Sequence, residues 1–368
     1  MIAYYLRRFA RLFTAHIDGP LLGAALLLMG VGITVLYSAS NAGWARVSGQ
    51  MVNILVALTV MWLVANVPPH VLMRLALPVF IVGLILLVGV ALKGEVINGA
   101  RRWLNVGVTR IQPSELMKIA APLMLAWYFH RYEGTLRNGN FVIGAIMLLA
   151  PVGLIARQPD LGTALLILAS GSYVLFLAGL SWKIMAGMGV AGLAGAPIAW
   201  SMMHDYQRQR ILTLINPLED PLGAGYHTIQ STIAVGSGGL TGKGWMSGTQ
   251  THLDFIPERT TDFIFAVYSE EFGLLGNIFL LGLFLLVILR GIVIASHAPS
   301  LFTRLLAGAI PLTFFTYAFV NMGMVSGILP VVGVPLPMIS YGGTSLVSLC
   351  LGLGILMSIH THRKLVHT

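Results

Sequence analysis

Residues 75–92 read LALPVFIVGLILLVGVAL, eighteen residues without a charge, bracketed by Arg74 and Lys93. As a helix rising 1.5 Å per residue, that stretch is about 27 Å long, close to the thickness of a bilayer's hydrocarbon core. Backbone amides in hydrocarbon must pair within their own segment, so a helix is the form such a run takes. Working outward, comparable windows occur at 21–38, 51–64, 115–129, 141–155, 162–180, 184–203, 262–289, 301–322 and 344–360. The pattern predicts an all-α integral membrane protein, one polytopic domain over residues 1–368, with ten transmembrane helices and both termini on one side.

Composition agrees. Lys and Arg number 22 and Asp and Glu 13, so 10% of the chain is charged, where a soluble domain carries about 25%. Hydrophobic residues make up 57%, and the mean hydropathy is +0.84. These values exclude a soluble enzyme, a disordered chain and an ordinary nucleic-acid binder. The net charge of +9 is read as membrane orientation and affinity for anionic partners. The one cysteine, Cys350, sits in an apolar run and supports no disulfide or thiolate metal site. The N-terminal MIAYYLRRFARLFTAHIDGP lacks a short apolar core with a small-residue cleavage site and reads as a cytoplasmic amphipathic lead-in.

Between the predicted seventh and eighth helices lie residues 204–261, a long extracytoplasmic loop rich in Gly, Pro, Asn, Asp and Arg. Loops of that length in compact proteins usually carry function. With the N-terminus inside, the short cytoplasmic segments hold Arg7, Arg8, Arg11, Arg74, Arg131, Arg137, Lys183, Arg290, Arg304, Arg363 and Lys364. The opposite side holds Arg46, Lys93, Arg101, Arg102, Arg110 and Arg157, so the bias is N-in, C-in. Four of those six cluster at 93–110, and the long loop adds Arg208, Arg210, Lys243 and Arg259 on the same face. External cations kept against the insertion rule point to an anionic ligand there.

Charge inside a span is expensive, so Glu115 and Lys118 in IQPSELMKIA are candidates. Three residues apart, they share a helix face and pair. Either they border a polar cavity with Lys118 partly free for a phosphate, or they neutralise each other to hold helices together. Asp262, in FIPERTTDFIFAV, stands at the water-facing mouth of the eighth span, where a shielded carboxylate can act as a base. The alternative is a cap, a role open to Thr260, Thr261 and Asp262 alike. Glu270 and Glu271 cannot face the same way, and one of them is expected to pair internally.

Asp160, in RQPDLGT, reads first as a helix cap and second as a cation ligand. GSGGLTGKGW resembles a phosphate loop only superficially, since Ser237 and Gly244 stand where that motif needs Gly and Ser or Thr. His360, His362 and His367 read as a solvated tail, without a partner for a metal site. The three-proline connection at 326–345 must be buried in protein or line a cavity, beside the site.

HDYQRQR at 204–210, DPLGAGYH at 220–227, GSGGLTGKGW at 236–245, PERTTDFIFAVYSEEFG at 257–273 and GILPVVGVPLPMISYGG at 327–343 resemble the SEDS family of shape, elongation, division and sporulation proteins. The likeness runs over nearly the whole chain and is strongest to the rod-shape branch. It implies a ten-helix peptidoglycan glycosyltransferase of the bacterial inner membrane that polymerises lipid II into β-1,4-linked glycan for cell elongation, with its active site facing the periplasm. It also implies that Asp262 is catalytic, that Glu115 and Lys118 in QPSELMK are the family's functional pair, and that Asp160 belongs to its QPDLGT motif.

An inverting displacement with a diphosphate leaving group needs one base and cationic stabilisation. Asp262 is therefore the expected base, with Arg101, Arg102, Arg110, Arg208, Arg210 and Lys243 as candidates for the diphosphate. A divalent cation, Mg or Mn, is a further expectation, with Glu115 or Asp160 as ligand, although no metal spacing is recognisable. Expected partners are lipid II, membrane lipid, a class B penicillin-binding transpeptidase and other elongation-complex membrane proteins, with no nucleic acid. The rival reading is a lipid II flippase.

Overall fold

The computed structural model describes residues 15–97, 100–105, 110–158, 160–203, 205–219, 225–253, 255–256 and 258–362. Among the described residues its regular structure is helical apart from one small sheet. The long helices are α1 (Gly19–Ala39), α2 (Trp44–Ala65), α3 (Pro69–Lys93), α4 (Pro113–Arg131), α5 (Asn138–Ala156), α6 (Leu161–Leu177) and α7 (Trp182–Met202). After a run of shorter elements follow α11 (Ile264–Ser296), α12 (Leu301–Val325) and α13 (Gly343–Thr361). Among the described residues, seven of these helices are long and apolar enough to cross a membrane: α1, α2, α3, α5, α11, α12 and α13. α6 is apolar but has 17 residues.

α4 carries Glu115 and Lys118, and most of its length is buried against α3, α5, α6, α12 and α13. A central helix shielded from lipid by its neighbours can carry charge that a peripheral one cannot. α12 is the second central helix, packed on α4, α6, α11 and α13. No described residue of α7 is buried.

Two stretches expected to be connections are structured. Residues 93–110 contain β1 (Glu95–Ile97), β2 (Ala100–Asn105) and β3 (Arg110–Ile111), an antiparallel sheet of order β1-β2-β3 that rests on α3 and α4. Its register pairs Ile97 with Ala100 and Leu104 with Ile111. The long segment 204–261 is not one open loop. It holds α8 (Asp205–Ile215), a 3-10 turn (Pro217–Glu219), α9 (Tyr226–Ser237) and the single turn α10 (Thr249–His252). α9 presents buried Thr228, Ser231 and Ala234 to the bundle.

His360 and His362 are not a solvated tail, which corrects the sequence reading for these two. Asp18 is buried at the start of α1, and a buried carboxylate requires partners. Arg290 grips it with Nε at 3.1 and 3.2 Å and Nη2 at 2.5 Å, and His360 Nε2 adds a contact at 3.4 Å. His362 stacks on His16 with ring centroids 4.2 Å apart. His367 lies outside the described residues.

Candidate active site

The turn leading into α11 is set by its backbone. Thr261 and Phe263 N–H both donate to the Glu258 carbonyl, at 3.0 and 3.3 Å, and the Thr261 hydroxyl donates to the Glu258 carboxylate at 3.1 Å. The N-cap of α11 is Phe263, with no side-chain cap bond, so neither threonine nor Asp262 caps the helix. The main chain here is held from α12 and the proline-rich connection. Asn321 Nδ2 donates to the carbonyls of Asp262, at 2.8 Å, and Val334, at 2.7 Å. Ser340 Oγ donates to the Thr261 carbonyl at 2.6 Å, and Tyr341 N–H to that of Thr260 at 2.9 Å.

The Asp262 carboxylate lies along the backbone of Gly333, where a Cβ would stand 3.3 Å from Oδ2 and φ is 70°. Burial, and then the Glu258 carboxylate, push its pKa up to about 6, against the opposing pull of Arg102 and Arg210. A carboxyl so tuned is ionised at neutral pH yet basic enough to take a proton from an alcohol as it attacks.

Arg102 links this carboxylate to a second cluster. Its Nε lies 3.8 Å from Asp160 Oδ2. Asp160 caps α6 by accepting from Thr163 N–H at 3.3 Å, and Gln112 Nε2 donates to it at 3.5 Å. One turn into α4, Lys118 Nζ donates to Glu115 Oε1 at 2.7 Å, and Ser348 Oγ of α13 donates to Oε2 at 2.9 Å. The ammonium also lies 5.0 Å from the ring centroid of buried Tyr317. Tyr317 and Asn321 are four apart on α12, so one face of one helix, about 6 Å of rise, supports both the ion pair and the Asp262 turn.

A groove of about 660 Å³ runs from Glu115, Gln112 and Ser348 along apolar side chains of α2, α3, α4 and α13, among them Val56, Leu75 and Val79. A second cavity, about 170 Å³, is lined by Arg210, Thr213 and Thr228 and by the proline-rich connection.

The remaining candidate cations differ in their surroundings. Arg208 donates to the Trp200 and Ser201 carbonyls at 3.0 and 2.9 Å and so closes the C-terminal end of α7. Lys243 Nζ lies 2.8 Å from Glu270 Oε1, in a fully buried carboxylate. The side chains of Arg101 and Arg110 lie outside the described residues. For a divalent cation the two named ligands fit poorly. Glu115 is matched by Lys118 and Ser348, and Asp160 by Thr163, Gln112 and Arg102, so an ion would have to displace partners already in place. Asn321, Tyr317, Ser340 and Gln112 were not singled out by sequence reasoning. A lone Asn in the apolar YAFVNMGMV run was the available signal for the first.

The family model for FtsW, RodA and SpoVE, described as cell cycle protein, matches residues 20–365. The chain belongs to this family. It is 49% identical over 352 residues to peptidoglycan glycosyltransferase MrdB of Escherichia coli, covering 95% of each chain. Among solved structures it matches a chain of a peptidoglycan synthase complex that coordinates polymerization and crosslinking. That match has a TM-score of 0.82 and 33% identity, over 94% of this chain and 99% of the other. It also matches the rod shape determining protein RodA of Thermus thermophilus, with a TM-score of 0.71 and 29% identity, over 94% and 98%.

Proposed function

We propose that this family member is a peptidoglycan glycosyltransferase that polymerises lipid II, with Asp262 as its general base. The enzyme is a multi-pass protein of the inner membrane. The 4-hydroxyl of the acceptor's N-acetylglucosamine attacks C1 of the donor's N-acetylmuramic acid. The C1–O bond to the diphosphate breaks with its electron pair, and the hydroxyl proton passes to Asp262. Arg102 and Arg210, the cations that act on Asp262, meet the charge building on the leaving diphosphate. Arg101, Arg110 and Arg208 complete the candidate cations. The groove beside Glu115 suits the polyprenyl chain, with the Glu115–Lys118 pair and Asp160 ordering its polar end.

The observation that carries this reading is the carboxyl of Asp262 at the mouth of a helix, raised toward neutrality by burial and by Glu258 while Arg102 and Arg210 act on it in the opposite sense. The finer architecture belongs to the same proposal: ten spans, N- and C-termini in the cytoplasm, and residues 204–261 on the periplasmic face. So does a class B penicillin-binding transpeptidase as partner, in keeping with the complex matched above. The test is polymerisation of purified lipid II. Asp262→Ala is expected to fold and to make no polymer, whereas a flippase would keep whatever polymerising background the wild type shows.

A further inference from the structure

α11 is broken once, at Gly273, whose φ of 62° and ψ of −160° are not helical. A break strands backbone carbonyls before it and amides after it, and buried ones need partners. The glycine-rich loop supplies them in order. Lys243 N–H donates to the Glu270 carbonyl and Gly244 N–H to that of Glu271, both at 3.0 Å. Leu274 N–H donates to the Gly239 carbonyl at 2.9 Å and Leu275 N–H to that of Leu240 at 3.1 Å.

The glycines are there because the two backbones touch. A Cβ on Gly238 would lie 2.0 Å from the Ser269 carbonyl oxygen, and one on Gly242, 2.1 Å from that of Glu271. Side chains secure the splice. The fully buried Glu270 carboxylate accepts from Lys243 Nζ at 2.8 Å, Thr249 Oγ at 3.2 Å, Gln250 N–H at 2.9 Å and Thr251 Oγ at 3.0 Å. The motif that resembles a phosphate loop is therefore turned onto the protein's own main chain.

Residues 264–272 form a rod about 13 Å long. Asn321 and Ser340 clamp the turn that precedes it, and the splice clamps its far end. We propose that Lys243 and Glu270, with the glycines that join their two segments, are positioning residues that hold this rod in register and so fix where the Asp262 carboxylate stands. For Lys243 this replaces contact with the diphosphate. The inference rests on the assignment of Asp262 as base.

The test compares the full-length protein in nanodiscs with Gly242→Ala, Lys243→Met and Lys243→Arg. Gly134→Ala serves as a control, because Gly134 has the same φ of 81° as Gly242 but open space around it. Hydrogen exchange at 264–272 is expected to quicken in Gly242→Ala and Lys243→Met and to stay unchanged in Lys243→Arg and the control. On lipid II, kcat is expected to fall at least tenfold with KM within about threefold. The acid limb should also move to lower pH, as water reaches Asp262 between Glu258, Arg102 and Arg210. A purely structural defect would lower the folded fraction and leave that limb in place. Unchanged exchange, or a rise in KM with an unmoved pH profile, overturns the proposal and returns Lys243 to the substrate. If the wild type itself makes no polymer, the assignment of function fails, and the exchange measurements still decide whether the splice holds the rod.

Discussion

At the scale of single residues, the decisive feature is the environment of one carboxyl. If Asp262 is the base, as proposed, its activity is lost as pH falls through a pKa of about 6, so kcat/KM for lipid II is expected to drop tenfold per unit below about pH 6 and to level above 7. A pH–rate profile checks this, and removal of the base is expected to cost on the order of 10²- to 10⁴-fold. The same tuning has a cost in stability. A carboxyl raised from 3.8 to about 6 binds its proton more tightly in the folded state, so stability is lost as pH rises across that interval. Charging it at neutral pH costs at most on the order of 3 kcal/mol. Asp262→Asn is therefore expected to be inactive but to melt several degrees higher at pH 7.5, with the difference vanishing near pH 4. The sequence left Asp262 open between base and cap, and only the family resemblance pointed to it as the base. Its support was not legible, because Asn321 and Ser340 act through main-chain carbonyls that a sequence does not advertise.

At the scale of elements, charge placement explains both the success and the failure of hydropathy reading. The window expected at 51–64 is the helix Trp44–Ala65. Its first turns carry Arg46, Ser48 and Gln50 and lie outside the apolar window, yet Gln50 is buried and donates to the Ser340 carbonyl at 3.3 Å. The strands at 95–111 escaped because a scan for long apolar runs is blind to a pattern of period two, although Asn98–Gly99 in the sequence between β1 and β2 is a hairpin signal. The contact between Glu115 and Lys118 was anticipated from their spacing of three on a helix, whereas its support by Ser348 and Tyr317 was not. Cutting one partner of a buried pair leaves an uncompensated charge, which costs about 3–5 kcal/mol. Lys118→Met is thus expected to destabilise the protein by that amount, and Lys118→Met with Glu115→Gln to recover most of it. Thermal unfolding of the wild type, Lys118→Met, Glu115→Gln and the double variant in one detergent measures the coupling.

At the scale of the whole molecule, composition alone required a helical bundle in lipid, because 10% charge cannot coat a soluble surface. What composition could not reveal is that the central helix α4 is partly exempt from the hydropathy rule, being surrounded by protein instead of hydrocarbon. That exemption lets a polar column run from Glu115 to Asp262, and it gives the molecule two ends. Arg131 ends α4 and the exposed Glu133 follows it, at the end away from Asp262, while exposed Leu253 lies in the segment that precedes Asp262. If the positive-inside bias sets the orientation, the first end faces the cytoplasm and the second the periplasm. The single cysteine, Cys350, is buried, so Cys350→Ala provides a silent background for labelling. Leu253→Cys is then expected to react with a membrane-impermeant maleimide on intact spheroplasts, and Glu133→Cys only after permeabilisation. The reverse pattern would put Asp262 on the side where no glycan strand is assembled.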